Sequence, residues 1–113
     1  MKITHPKQIN QFLDKGILAT LRNSKTYLKK VGQVINVMIR HQNKNIGEKA
    51  KIIYAGEIFD FLLRRNVAHS GFKDIAEWIR EETRASGRKP KYIVVIKRIN
   101  NPLTGWFDAD KVG

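Results

Sequence analysis

The chain has no cysteine, which excludes a disulfide framework and any thiolate metal site. Its three histidines, His5, His41 and His69, stand far apart, with neither a His-x-x-x-His nor a His-Glu-x-x-His spacing. No metal and no cofactor is therefore expected from local motifs. The glycines number 8 and form neither a GxxxxGK loop nor a GxGxxG turn, which removes the two common phosphate cradles. His69 and Ser70 are neighbours but lie in no GxSxG elbow, so the serine-hydrolase pattern is missing too. Long apolar runs are absent: nothing reaches the length of a membrane span. The opening MKITHPKQINQFLDKG also lacks the apolar centre of a signal peptide. These absences imply a soluble cytoplasmic domain with no membrane and no metal among its partners.

Acid is scarce in one half. Residues 1–55 hold eleven Lys and Arg against two acids, Asp14 and Glu48, a net +9 within an overall +12. Residues 56–113 hold eleven basic residues against eight acids, a net +3. A positive field this uneven favours a polyanion, and RNA is the first candidate; an acidic protein surface is the alternative. Phosphate contacts alone carry no sequence preference.

At 113 residues the chain is expected to be one domain with a core large enough to fold alone. Thr4 and Pro6 suit the start of a helix with Ile9, Phe12 and Leu13 on one face, ending at Gly16. ILATLR, 17–22, reads as a strand with Ile17, Ala19 and Leu21 on one side and Leu18, Thr20 and Arg22 on the other. Residues 23–30 read as a basic loop carrying Tyr27. The run VGQVINVMIR, 31–40, predicts a strand covered on both faces, followed by an Asn-rich turn over 41–47. In 48–59, alternation puts Ala50, Ile52, Tyr54 and Ile58 on one face, with Gly56 marking a bulge or close approach. A short helix over 60–70 uses Phe61, Leu62, Arg65 and Ala68. A second helix follows Asp74, and KPKYIVVIKRIN, 89–100, is the clearest strand. Trp106 and Phe107 predict a tail, 101–113, that docks on the core. Strands grouped around one core with helices beside them are not a βαβα alternation. They predict an α+β fold built on a small, partly closed barrel of mostly antiparallel strands.

Four pieces taken in order resemble the ASCH domain family, a branch of the PUA-like barrels: KGILATLR (15–22), KKVGQVINV (29–37), EKAKIIYAGEI (48–58), and SGFKDIAEWIREE with YIVVIKRI (92–99). The resemblance spans about residues 8–100 and rests on Thr20-Leu21-Arg22, Val31-Gly32, and Gly71-Phe72 with Glu77-Trp78. It implies a PUA-like β-barrel with flanking helices and a cleft between the first strand and the Gly-Phe helix. It also implies an RNA-associated role or, alternatively, a small hydrolase of the kind that removes an acetyl group from modified cytosine. In the hydrolase pattern the catalytic positions fall on Thr20 and Glu77. The family's lysine falls on Ile17, leaving Lys15 as the nearest amine and Thr20 without an activating partner.

Glu77 has two readings. Asp74-x-x-Glu77 is a capping-box spacing that needs no site. On the helical wheel, Phe72, Ile75, Ile79 and Glu82 cluster while Glu77 lies opposite, so Glu77 meets either water or a groove that it shares with Thr20 and Arg22. Arg22 suits an anion because its guanidinium grips phosphate at two points. Lys25, Tyr27, Lys29 and Lys30 interleave cations with a ring, the composition of a single-stranded nucleic-acid groove.

Overall fold

Alternation in the apolar pattern builds a five-stranded sheet, and three helices cover parts of both its faces. The structure is a computed structural model and describes residues 1–99; the tail 100–113, with its expected docking of Trp106 and Phe107, lies outside the described residues. The elements run β1 (Lys2–Ile3), α1 (Pro6–Lys15), β2 (Ile17–Arg22), a 3-10 helix (Lys25–Lys30), β3 (Val34–His41), β4 (Lys44–Glu57), α2 (Asp60–Asn66), a 3-10 turn (Val67–His69), α3 (Ile75–Ser86) and β5 (Tyr92–Arg98). Strand order is β1-β3-β4-β5-β2. All pairs are antiparallel except β1 with β3. The mixed sheet curls into a half-barrel, so the α+β class and the barrel-like curl are as expected. Closure is not by main-chain pairing: β1 and β2 are its two edges.

Parity decides the core. Leu18, Val94, Ile96 and Ile52 of the sheet meet Ile9 and Phe12 of α1 on one face. On the other, apolar packing joins Ala19, Leu21, Ile93 and Val95 to Leu62, Leu63, Phe72 and Trp78. Only β2 and β5 have both faces covered for most of their length, and each fully buried aliphatic contributes about 1.5–3 kcal/mol.

Several local expectations are corrected. His5, not Thr4, caps α1: its Nδ1 accepts from the Lys7 amide at 3.1 Å, with Pro6 in the first turn. Residues 23–30 form a 3-10 helix whose cap, Ser24, accepts from the Thr26 amide. β3 is covered on one face only; Val37 and Ile39 are buried while Val34 and Met38 are exposed, because no helix lies over that half of the sheet's outer face. The turn shrinks to Gln42 and Asn43, both with positive φ, the geometry of a tight hairpin loop. A bulge at Ile53 shifts the register between Ile52 and Tyr54. That one extra residue turns Tyr54 to the face opposite Ile52, where its ring lies over Gly56. In α2 the buried pair is Leu62 and Leu63, so Phe61 and Arg65 face solvent.

Candidate functional site

The seam between the two edge strands is the candidate site. An edge strand leaves main-chain groups unpaired, and here side chains satisfy them. Gln11 Nε2 donates to the Ile17 carbonyl at 3.0 Å. The Leu21 amide donates to Glu82 Oε2 at 2.7 Å. Arg22 Nη2 crosses the seam and donates to the Lys2 carbonyl at 3.1 Å, tying the edges together where no strand does.

Glu82 is the centre of this arrangement. Its Oε2 also accepts from the Thr20 hydroxyl at 2.9 Å, Gln8 Nε2 at 3.0 Å and Trp78 Nε1 at 3.3 Å. Four donors from α1, β2 and α3 therefore converge on one oxygen. Oε1 takes no hydrogen bond from the described residues, and Glu82 lines a cleft of about 530 Å³. Trp78 and Thr20 are fully buried and Gln8 nearly so, so the carboxylate's position is set from behind by the core.

The same cleft is also lined by Arg22, Asn23, Lys2 and Tyr27. Arg22 Nε and Asn23 Oδ1 are buried without a partner among the described residues. Such groups cost about 1–3 kcal/mol each unless something bonds them. At the mouth, His5 Nε2 lies 3.2 Å from Glu81 Oε1, and its ring meets Phe72 edge-on at 4.8 Å. Burial pushes the Glu81 carboxyl up, but the hydrogen bond with His5, the charge of Arg84 and the hydrogen bond with Arg80 outweigh it and lower the carboxyl from its usual value.

The residues singled out from the sequence divide. Thr20, Arg22 and Tyr27 are at the seam, Thr20 behind the cleft wall and the other two on it. Glu77 is elsewhere: its Oε2 accepts from Lys7 Nζ at 2.9 Å and its Oε1 from the Lys73 amide at 2.9 Å. It does not meet Thr20 or Arg22. Asp74 caps α3 as expected, accepting from the Glu77 amide at 2.8 Å, and Glu77 reaches one residue behind the cap rather than the cap itself. Lys15, at the end of α1, lines a separate shallow depression with Lys7 and Asp14. Lys25 and Lys29 are exposed and Lys30 half-buried on the 3-10 helix, outside the cleft lining. Ile17 is half-buried against the α2–α3 side of the core. Glu82 was visible on the apolar face of the helical wheel; an acid there signals a carboxylate tied by buried donors, and that signal had no role assigned to it.

The Lys73 amide, then Lys7, hold the Glu77 carboxyl below its ordinary 4.5. A depressed carboxyl lends stability above its unfolded value and loses it as pH falls through the folded one. The native chain is thus expected to lose more stability than Glu77→Gln as pH drops below about 4.5. Denaturant titrations at stepped acid pH check this; parallel curves for the two proteins would refute the pairing.

Among the described residues there is no group of three or more His, Asp or Glu arranged to hold a metal, and no helix long and apolar enough to cross a membrane. What fold and site define together is an α+β half-barrel with a polar cleft at its seam. No family model, no curated protein and no solved structure matches the chain.

Proposed function

We propose that this protein is an RNA-binding module of PUA-like character whose seam cleft holds one nucleotide. The observation that carries the reading is the pair of buried, unpartnered atoms Arg22 Nε and Asn23 Oδ1, on two residues that line the same cleft as the pinned carboxylate of Glu82. A guanidinium donor suits a phosphate or a base carbonyl. Two fixed acceptors suit the N–H groups of a base or a ribose hydroxyl, and Tyr27 offers a ring for stacking. The net +12 supplies the long-range attraction that a polyanion needs. The half-barrel and the order of the ASCH-like pieces support the PUA-like assignment.

Fluorescence anisotropy with a single-stranded RNA tests it. Binding is expected to weaken as salt rises, and Arg22→Ala to weaken it by about 1.5–3 kcal/mol, roughly ten- to a hundredfold. If Arg22 meets a phosphate, the salt slope of the variant is shallower by about 0.7. Circular dichroism of the variant checks that the seam survives loss of the Lys2 contact. No binding at low salt, or binding indifferent to salt, overturns the reading.

A second reading has one observation of its own: the Thr20 hydroxyl donates to Glu82, a hydroxyl–carboxylate pair of the sort a small hydrolase uses. It would act on an acetylated cytidine or on RNA. Thr20 is fully buried, Lys15 lies outside the cleft, and Ile17 supplies no amine. Incubating the same protein with acetylcytidine gives the answer, with Thr20→Val as the control that keeps shape and removes the hydroxyl.

A further inference from the structure

α2 is held by Leu62 and Leu63, yet its first residues spend two large rings on solvent. Phe59 is 53% exposed and Phe61 56%. The rings lie nearly parallel, 14° apart with centroids at 6.0 Å, within the range of offset stacking. Helix formation does not explain Phe59: it occupies the cap position and makes no side-chain cap bond, where Ser, Thr, Asp or Asn would serve better.

The surroundings indicate what these rings meet. Arg64 and Arg65 are exposed one turn along the helix from Phe61, within reach of the same ligand. Just before β5, the Lys91 amide donates to the Arg22 carbonyl at 3.1 Å, and the Lys91 carbonyl accepts from the Ile58 amide at 3.2 Å. Arg22, at the end of β2, Lys91, just before β5, and Ile58, just after β4, therefore form a main-chain row at one end of the sheet, about 10 Å from end to end, with the cleft-lining Arg22 at one end and Phe59 next in the chain after the other. The approach between them is also basic. Ser86, on the cleft wall, bonds both the amide and the carbonyl of Arg88, and Arg88, Lys89 and Lys91 are all exposed. Against these five cations stand two exposed acids, Glu57 and Asp60.

We propose that the Phe59–Phe61 pair is a second base-stacking platform, joined to the seam cleft by the basic segment 88–91, so that the preferred ligand is a single strand of several nucleotides rather than a mononucleotide. This rests on reading the cleft as an RNA site. Cations beside stacked rings are the pattern of sequence-tolerant single-strand binding, and the same pattern argues against a second copy of this chain, whose matching surface would carry the same positive charge.

The test compares a nucleoside monophosphate with a single-stranded oligonucleotide of about eight residues on the native chain and on Phe59→Ala/Phe61→Ala. The expected result is oligonucleotide binding weakened about tenfold or more by the double change, with monophosphate binding unmoved. Arg88→Ala/Lys89→Ala, which leaves the rings in place, is expected to weaken the oligonucleotide with a shallower salt slope. Oligonucleotide binding equal in the native and double-Phe proteins overturns the platform while leaving the cleft reading intact. Failure of the native chain to bind either ligand removes both. A concentration-dependent dimer in sedimentation, abolished by the double change, overturns the platform in favour of self-association.

Discussion

Glu82→Ala is expected to destabilise the protein by about 3–5 kcal/mol and to lower its melting temperature by more than about 10 °C. The magnitude follows from what the change strands. Four donors now share Oε2: the Thr20 hydroxyl, the Leu21 amide, Gln8 Nε2 and Trp78 Nε1. Trp78 and Thr20 are fully buried and Gln8 is 3% exposed, so their side chains cannot all turn to water. A stranded buried donor costs about 1–3 kcal/mol; water entering through the cleft relieves part of the sum, which sets the figure below four full penalties. Glu82→Gln keeps one acceptor oxygen but brings an amide that competes with the donors, and a loss of about 1–2 kcal/mol is expected. Denaturant unfolding with an unchanged m-value is the measurement. An alanine variant within about 0.5 kcal/mol of the native chain, the range of ordinary surface changes, would mean that the carboxylate does not organise the seam.

That residue also shows how far the sequence could be read. Period-two patterning placed β2 correctly on both sides: Leu18 and Thr20 face one way and Ala19 and Leu21 the other, each side meeting its own cluster. Asp74 and Gly16 marked real helix ends because capping is local chemistry. Failures came where a distant partner decides. Glu77 drew attention through its cap-like spacing, but its carboxylate bonds the Lys73 amide, one residue behind the cap, and Lys7 of α1, a partner that spacing does not show. Glu82 is a site residue only because Thr20, Leu21 and Gln8, over sixty positions away, point donors at it. His5 displaced Thr4 as the cap by bonding Lys7 on one side of its ring and Glu81 on the other. β3 was expected to be covered twice because its apolar run is nearly continuous, yet nothing in that run says how far α2 and α3 extend over the sheet. The bulge at Ile53 likewise leaves no local mark, and a single inserted residue reverses the facing of everything after it.

The second large effect is expected at a residue that the motif reading singled out without saying why. Gly71→Ala should cost about 3 kcal/mol or more, by two separable causes. Gly71 has φ +87°, where a side chain costs roughly 1–2 kcal/mol. A Cβ there would also stand 2.5 Å from the Lys7 carbonyl oxygen, 2.9 Å from its carbon and 3.2 Å from the Gln8 nitrogen. These are main-chain atoms of the first turn of α1, so no side chain can swing aside and the helix itself must move. The displacement reaches the cleft, because Gln8 bonds Glu82 and His5 packs on Phe72, the neighbour of Gly71. Gly87 separates the two causes: it caps α3 at φ +75° with nothing within 4 Å of an added Cβ. Gly87→Ala should therefore show the conformational cost alone, about 1–2 kcal/mol. Gly71→Ala should lose more stability than this and, on the RNA-binding reading proposed above, weaken binding as well, since Gln8 of α1 lines the cleft. Equal losses from the two alanines in parallel denaturant titrations would mean that α1 does not press on Gly71, and the close fit of that helix against the turn before α3 would have to be abandoned.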